Sequence, residues 1–196
     1  MTHEPDAQAQ IIFNNICNRR TLPYKKVKTD PIAPEHLDMI LTAANWAPSH
    51  RHTEPWRFTV FQGEGRAQLG DLLAETYKKA AGDKFLERKY LKARERCSHA
   101  PVALAILMEP KGVTPEFEEI LAMGCAVQNM HLTAQALGIG CSWSTPALIH
   151  HADVRAFFEL KETSRCLGFF YMGYAAEPFP NSKRGGLAEK VTYINE

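Results

Sequence analysis

The chain has 196 residues and 45% apolar content, enough for one sizeable core, and no shift in composition marks a second domain, so a single domain over residues 1–196 is expected. Lys plus Arg number 23 against 22 Asp plus Glu, a balance that builds no positive field for nucleic acid or an anionic membrane and leaves small neutral or anionic ligands as the better fit. Five cysteines without Cys-x-x-Cys spacing, and a start lacking the basic and apolar blocks of a secretory signal, fit a cytoplasmic protein with reduced thiols, and the longest apolar run falls far short of the roughly 20 residues that span a bilayer.

Residues 1–8 are polar and expected to be disordered. Ile12 with Ile16 and Phe13 with Cys17 then recur four apart, which predicts a helix ending at Arg19-Arg20-Thr21. Paired guanidiniums and a hydroxyl can grip a phosphate, although cations at a helix end also simply meet the negative end of its dipole. Pro34-Glu35 signals the next helix start, with Leu37, Ile40, Leu41 and Ala44 as its buried stripe.

Between that helix and a strand at Trp56 to Phe61 lies Ala47-Pro48-Ser49-His50-Arg51-His52-Thr53-Glu54-Pro55. Its prolines fix the backbone, and its hydroxyls, imidazoles, guanidinium and carboxylate suit a ligand loop and a solvated connector equally well. A helix is expected from about Glu64, followed by the charged Lys84 to Arg96 segment, read as a solvated, mobile helix that serves as a lid or a plain surface element.

Val102 to Met108 suits a central strand buried on both faces. Pro115 to Leu137 is the longest helical pattern, in which Ala122, Gly124 and Ala126 suggest close packing against a second copy of the helix. Gly140 to Pro146 reads as a short strand opening into a loop, Cys166 to Tyr174 as the last clear strand, and the tail carries Lys183-Arg184 before an extended end at Val191 to Ile194.

In this order, Arg19-Arg20-Thr21, the Ala47-Pro48-Ser49 loop closing on Pro55-Trp56, Gly124-Cys125-Ala126-Val127-Gln128-Asn129, Leu137-Gly138-Ile139-Gly140 and Lys183-Arg184 resemble a compact member of the FMN-dependent nitroreductase family, over about Phe13 to Ile194. The resemblance implies an α+β, nitroreductase-like three-layer fold with a central, mostly antiparallel sheet flanked by helices, in an intertwined homodimer with FMN at the subunit interface. It implies that Arg19, Arg20 and Thr21 hold the FMN phosphate and ribityl chain, with Lys183 and Arg184 closing from the tail. Trp46, Pro48, Ser49, His50 and His52 would reach the flavin from the neighbouring subunit, and Trp143, Ser144 and Thr145 would lie along its ring. Many relatives carry Asn where this chain has His52, Gln where it has Glu54, and, among compact members, Arg where it has Trp46.

The activity so implied is hydride transfer from NAD(P)H through FMN to an electron-poor small-molecule acceptor, nitroaromatic or quinone-like, in ping-pong order. No Gly-x-Gly-x-x-Gly follows a predicted strand, so one shared pocket is expected rather than a separate dinucleotide site. No side chain is assigned as catalytic, because solvent can supply the protons. The alternative is a protein that binds, stores or senses FMN without turnover. Cys125 as a nucleophile and the histidines as metal ligands are weaker readings, since a cysteine in mid-helix is usually a small buried hydrophobe and surface histidines are common.

Overall fold

A computed structural model describes residues 6–195. Four strands, β1 (Trp56–Phe61), β2 (Val102–Met108), β3 (Ile139–Ser144) and β4 (Arg165–Tyr174), form one sheet in the order β1-β2-β4-β3, and each neighbouring pair is antiparallel. Six α-helices accompany them: α1 (Ala7–Asn18), α2 (Pro34–Asn45), α3 (Gly65–Ala81), α4 (Glu87–His99), α5 (Glu116–Ala136) and α6 (Ala152–Phe157). The fold is α+β.

Every residue of β2 is buried because helices cover both faces of the sheet. Its side chains divide by alternation: Val102, Leu104, Ile106 and Met108 meet α2 and α5, while Ala103, Ala105 and Leu107 share the opposite core with α3, α4 and α6. β4 divides in the same way, with Phe170 and Met172 on the first face and Phe169 and Tyr171 on the second. Each large side chain so removed from water is worth about 2 kcal/mol, and together they fix the three layers.

α2 starts with Pro34 at its first helical position and buries Leu37, Ile40 and Ala44, as its pattern predicts. α5 begins with Glu116, Glu118 and Glu119 in its first turn, where carboxylates meet the positive end of the helix dipole, and it stops just before Gly138. No described helix is long and apolar enough to cross a membrane.

Several expectations change. Ala122 and Ala126 are buried in this chain's own core against α2, so only Gly124 of the three small residues faces outward. Their small size serves the α2–α5 approach. Cys125, expected to be a buried hydrophobe, is exposed beside Gly124. The charged Lys84 to Arg96 segment is tied down rather than lid-like: α4 buries Cys97 against α3, Tyr90 Oη donates to Glu75 at 2.6 Å, and Arg66 donates to the carbonyls of Ser98 and Ala100. Of the expected loose start, residues 1–5 lie outside the described residues, while Ala7 and Gln8 already belong to α1 behind an Asp6 cap. Val191 to Ile194 pair with no strand among the described residues, and Tyr193 and Ile194 are exposed. α6 has no counterpart among the predicted elements.

Candidate functional site

The α2–β1 loop is anchored at its base, where the Trp56 indole donates to Asn45 Oδ1 at 2.9 Å. Between these anchors Arg51, His52 and Glu54 all adopt positive φ, at 54°, 50° and 45°. Non-glycine residues held in the left-handed region cost about 1 kcal/mol or more each and persist only where the surroundings over-determine them. Glu119 supplies much of that constraint. Its carboxylate is 1% exposed and accepts from Thr53 Oγ1 at 2.6 Å and from Thr114 Oγ1 at 2.7 Å, binding the loop to the first turn of α5.

Two other bonds cross the same seam, as Glu118 pairs with His50 and Arg51 donates to the Val113 carbonyl, while within the loop Ser49 Oγ accepts from the Glu54 amide at 3.1 Å. The loop therefore presents a set shape over an open hollow of about 430 Å³ lined by Trp46, Pro48, Ser49, His52 and Glu54. Trp46 stands 82% exposed at its rim.

The second cluster lies at the other end of α5. Arg19 caps α1, and the Arg20 guanidinium donates to the carbonyls of Cys17 and Arg19 and, through Nε, to Pro180 at 2.9 Å. The Arg20 amide donates to Gln135 Oε1 on the last turns of α5. Thr21 forms a parallel bridge with Cys141, and Leu22 N donates to the Cys141 carbonyl at 2.9 Å. This approach depends on Gly140, because a Cβ there would fall 2.3 Å from Leu22 Cδ2. The arginine pair is thus laid against the outer edge of β3.

Farther along that edge come Trp143, Ser144 and Thr145. The Trp143 indole donates to the Leu167 carbonyl at 2.9 Å, and Ser144 Oγ accepts from Arg96 at 2.8 Å. Gly168, at φ 120°, lets β4 pass close behind, since a Cβ would sit 2.4 Å from the Ser144 carbonyl oxygen. Behind the arginines, His131 Nδ1 lies 3.1 Å from Cys141 Sγ. Burial, with the Arg19 charge adding to it, pushes the His131 imidazole down to about 4, and burial pushes the Cys141 thiol up to about 12, so both are neutral near pH 7.

The fold sets Thr21 against Cys141 on the outer edge of β3, with Arg19 and Arg20 before it and Trp143 to Thr145 farther along the same edge. Lys183 and Arg184 are exposed on the tail that Arg20 holds at Pro180. It does not bring Trp46, Pro48, Ser49, His50 and His52 to them: from Glu119 to Gln135, the ordinary helical rise separates the two ends of α5 by about 24 Å. Glu119 and Arg96 are not singled out by the sequence because each sits in a charge-rich run that reads as a solvated face. Thr114, a hydroxyl just before an acidic helix start, was the one local hint of the Glu119 bonds.

Large apolar side chains also face outward around both clusters. On α1, Ile11, Ile12, Phe13 and Ile16 are exposed and none of its residues is buried, and on α5 Phe117, Ile120 and Leu121 are exposed.

A model of the Nitroreductase family matches residues 16–174. The chain is 33% identical over 141 residues to YdjA of Escherichia coli (strain K12), by name a candidate NAD(P)H nitroreductase, a match covering 71% of this chain and 75% of that protein. Among solved structures, a nitroreductase-like family protein from Bacillus cereus superposes with a TM-score of 0.80 at 25% identity and covers 100% of both chains. The FMN-dependent nitroreductase NfnB from Mycobacterium smegmatis, solved in complex with NADPH, gives a TM-score of 0.76 at 20% identity, over 96% of this chain and 100% of that one.

Proposed function

This chain belongs to the nitroreductase family, and from that premise we propose that it is a cytoplasmic FMN-dependent oxidoreductase, one nitroreductase-like domain per subunit of an intertwined homodimer, that passes a hydride from NAD(P)H to an electron-poor acceptor such as a nitroaromatic or quinone. The observation that carries this reading is the division of the candidate residues between two ends of α5 about 24 Å apart, each bordered by exposed apolar side chains. Two copies running in opposite directions along this helix would set the loop of one beside the arginine pair of the other, making two equal sites.

The residues fit FMN. Arg19, which forms no ion pair among the described residues, would meet the phosphate together with Arg20, Lys183 and Arg184, and Thr21 would add a neutral donor to the ribityl chain. The open outer edge of β3 at Trp143, Ser144 and Thr145 would offer backbone donors and a flat wall for the ring, and Trp46, Pro48, Ser49, His50 and His52 of the second copy would cover its far side. FMN supplies the redox chemistry when bound. The protein's part is to hold the phosphate by charge, fix the ring against a rigid strand edge and shape the hollow under the proline loop, where nicotinamide and acceptor would take turns in ping-pong order. Water reaching that open hollow would supply the protons.

Anaerobic addition of NADPH or NADH to the yellow protein tests the reading. Bleaching of the visible flavin bands, and their return on adding a nitro compound or quinone, is the expected result. A flavin-bound protein that neither nucleotide bleaches would leave binding, storage or sensing of FMN in its place. Intersecting rather than parallel double-reciprocal lines would overturn the ping-pong order, and a light-scattering mass of one chain would overturn the dimer.

A further inference from the structure

On the sheet face opposite α5, a cavity of about 240 Å³ opens between α3, α4 and the turn that follows β3. We propose that it binds a small aromatic carboxylate at a site of its own behind the proposed flavin wall, which it adjoins through the Arg96–Ser144 hydrogen bond. Leu73, Ala93, Pro146 and Leu148 give it aliphatic walls and Tyr77 and Tyr171 give it aromatic ones, a lining that favours a flat apolar body. Its volume is below the usual range for drug-sized ligands and suits a single ring.

The charge at its rim is one-sided. Lys89, Lys92 and Arg96 all line the cavity, and none of them forms an ion pair among the described residues. The carboxylates nearby on α3 and α4 are already engaged: Glu95 with Lys25 and Tyr24, Asp71 with Arg94, and Glu75 with Tyr90. Arg96 is the centre of the site. Its guanidinium lies 5.6 Å from the Tyr24 ring centroid and 5.3 Å from that of Tyr171, so it is held in place between two aromatic rings. Ser144 Oγ accepts from one of its nitrogens at 2.8 Å, which leaves further N–H donors for a carboxylate. Three cations converging on an apolar hollow repel one another, and an entering anion relieves that repulsion.

Calorimetric titration of the flavin-loaded protein with benzoate, and with the neutral isostere benzamide, tests the proposal. Saturable benzoate binding is expected, with benzamide at least about tenfold weaker. Ala93→Phe, which fills the cavity, and Arg96→Gln, which removes the charge, are each expected to weaken benzoate about tenfold or more while the flavin absorption spectrum stays unchanged by benzoate. Lys92→Gln, at an exposed position, replaces either variant that fails to fold and is expected to weaken binding less. No benzoate binding, equal binding of benzamide, or binding that the folded variants leave intact would overturn the assignment, as would a benzoate-induced shift of the flavin bands that persists in those variants.

Discussion

The two ends of α5 hold their functional groups by opposite means. At the N-terminal end, the loop is stiffened by hydrogen bonds to the buried Glu119 side chain and carries three left-handed residues as stored strain. At the C-terminal end, Arg20 is held by backbone carbonyls, including one from a tail whose residues 181–195 are exposed. The contrast teaches that the first end is shaped by bonds to a helix of the core, while the second has its guanidinium tied to main-chain carbonyls beside an exposed tail.

The largest effects should come from burial. Glu119→Ala leaves the buried Thr53 hydroxyl and the half-buried Thr114 hydroxyl without their acceptor and is expected to cost about 3 kcal/mol in chemical denaturation; a loss within experimental error would show that the loop is not held by this carboxylate. An effect of similar size belongs to acid at the other end. His131 has a folded value of about 4, below its unfolded value of about 6.5, so its contribution is fully present above pH 6.5 and drains away as pH falls toward 4. About 3 kcal/mol should be lost by pH 4. Urea midpoints of the wild type and His131→Gln compared at pH 7 and 4.5 check it, and parallel pH profiles would refute it.

Arg20→Ala is expected to weaken FMN by about 2 kcal/mol, read as the flavin left after dialysis, because a phosphate loses a charged donor and the tail loses its tether at Pro180. Unchanged occupancy would remove Arg20 from the phosphate site. The smallest effect sharpens the strain argument. Glu54→Gly should raise stability by about 0.5 kcal/mol, since glycine accepts the positive φ of 45° and the exposed side chain makes no hydrogen bond among the described residues. A destabilised variant would mean that this backbone is not strained.

Much of the fold was legible in the residues, because its signals are local. Continuous burial of β2 follows from seven consecutive apolar residues, and the α2 stripe from Leu37, Ile40 and Ala44 at helical spacing. The roles of Ala122 and Ala126 were not legible, since small residues permit close approach without saying to which helix. Arg96 hid for a related reason: a charged helix looks solvated until a neighbouring strand brings Tyr171 beneath it.

The residues alone carried the four strands, the longer helices and the family, because periodicity, turn residues and ordered motifs are written along the chain. Only the tertiary structure decided that these groups fall into two clusters at opposite ends of α5, that Glu119 is buried beneath the loop, and that three cations share an apolar hollow on the far face. Those facts depend on which distant residues the sheet register and helix packing bring within a few ångströms, and no local pattern encodes that distance.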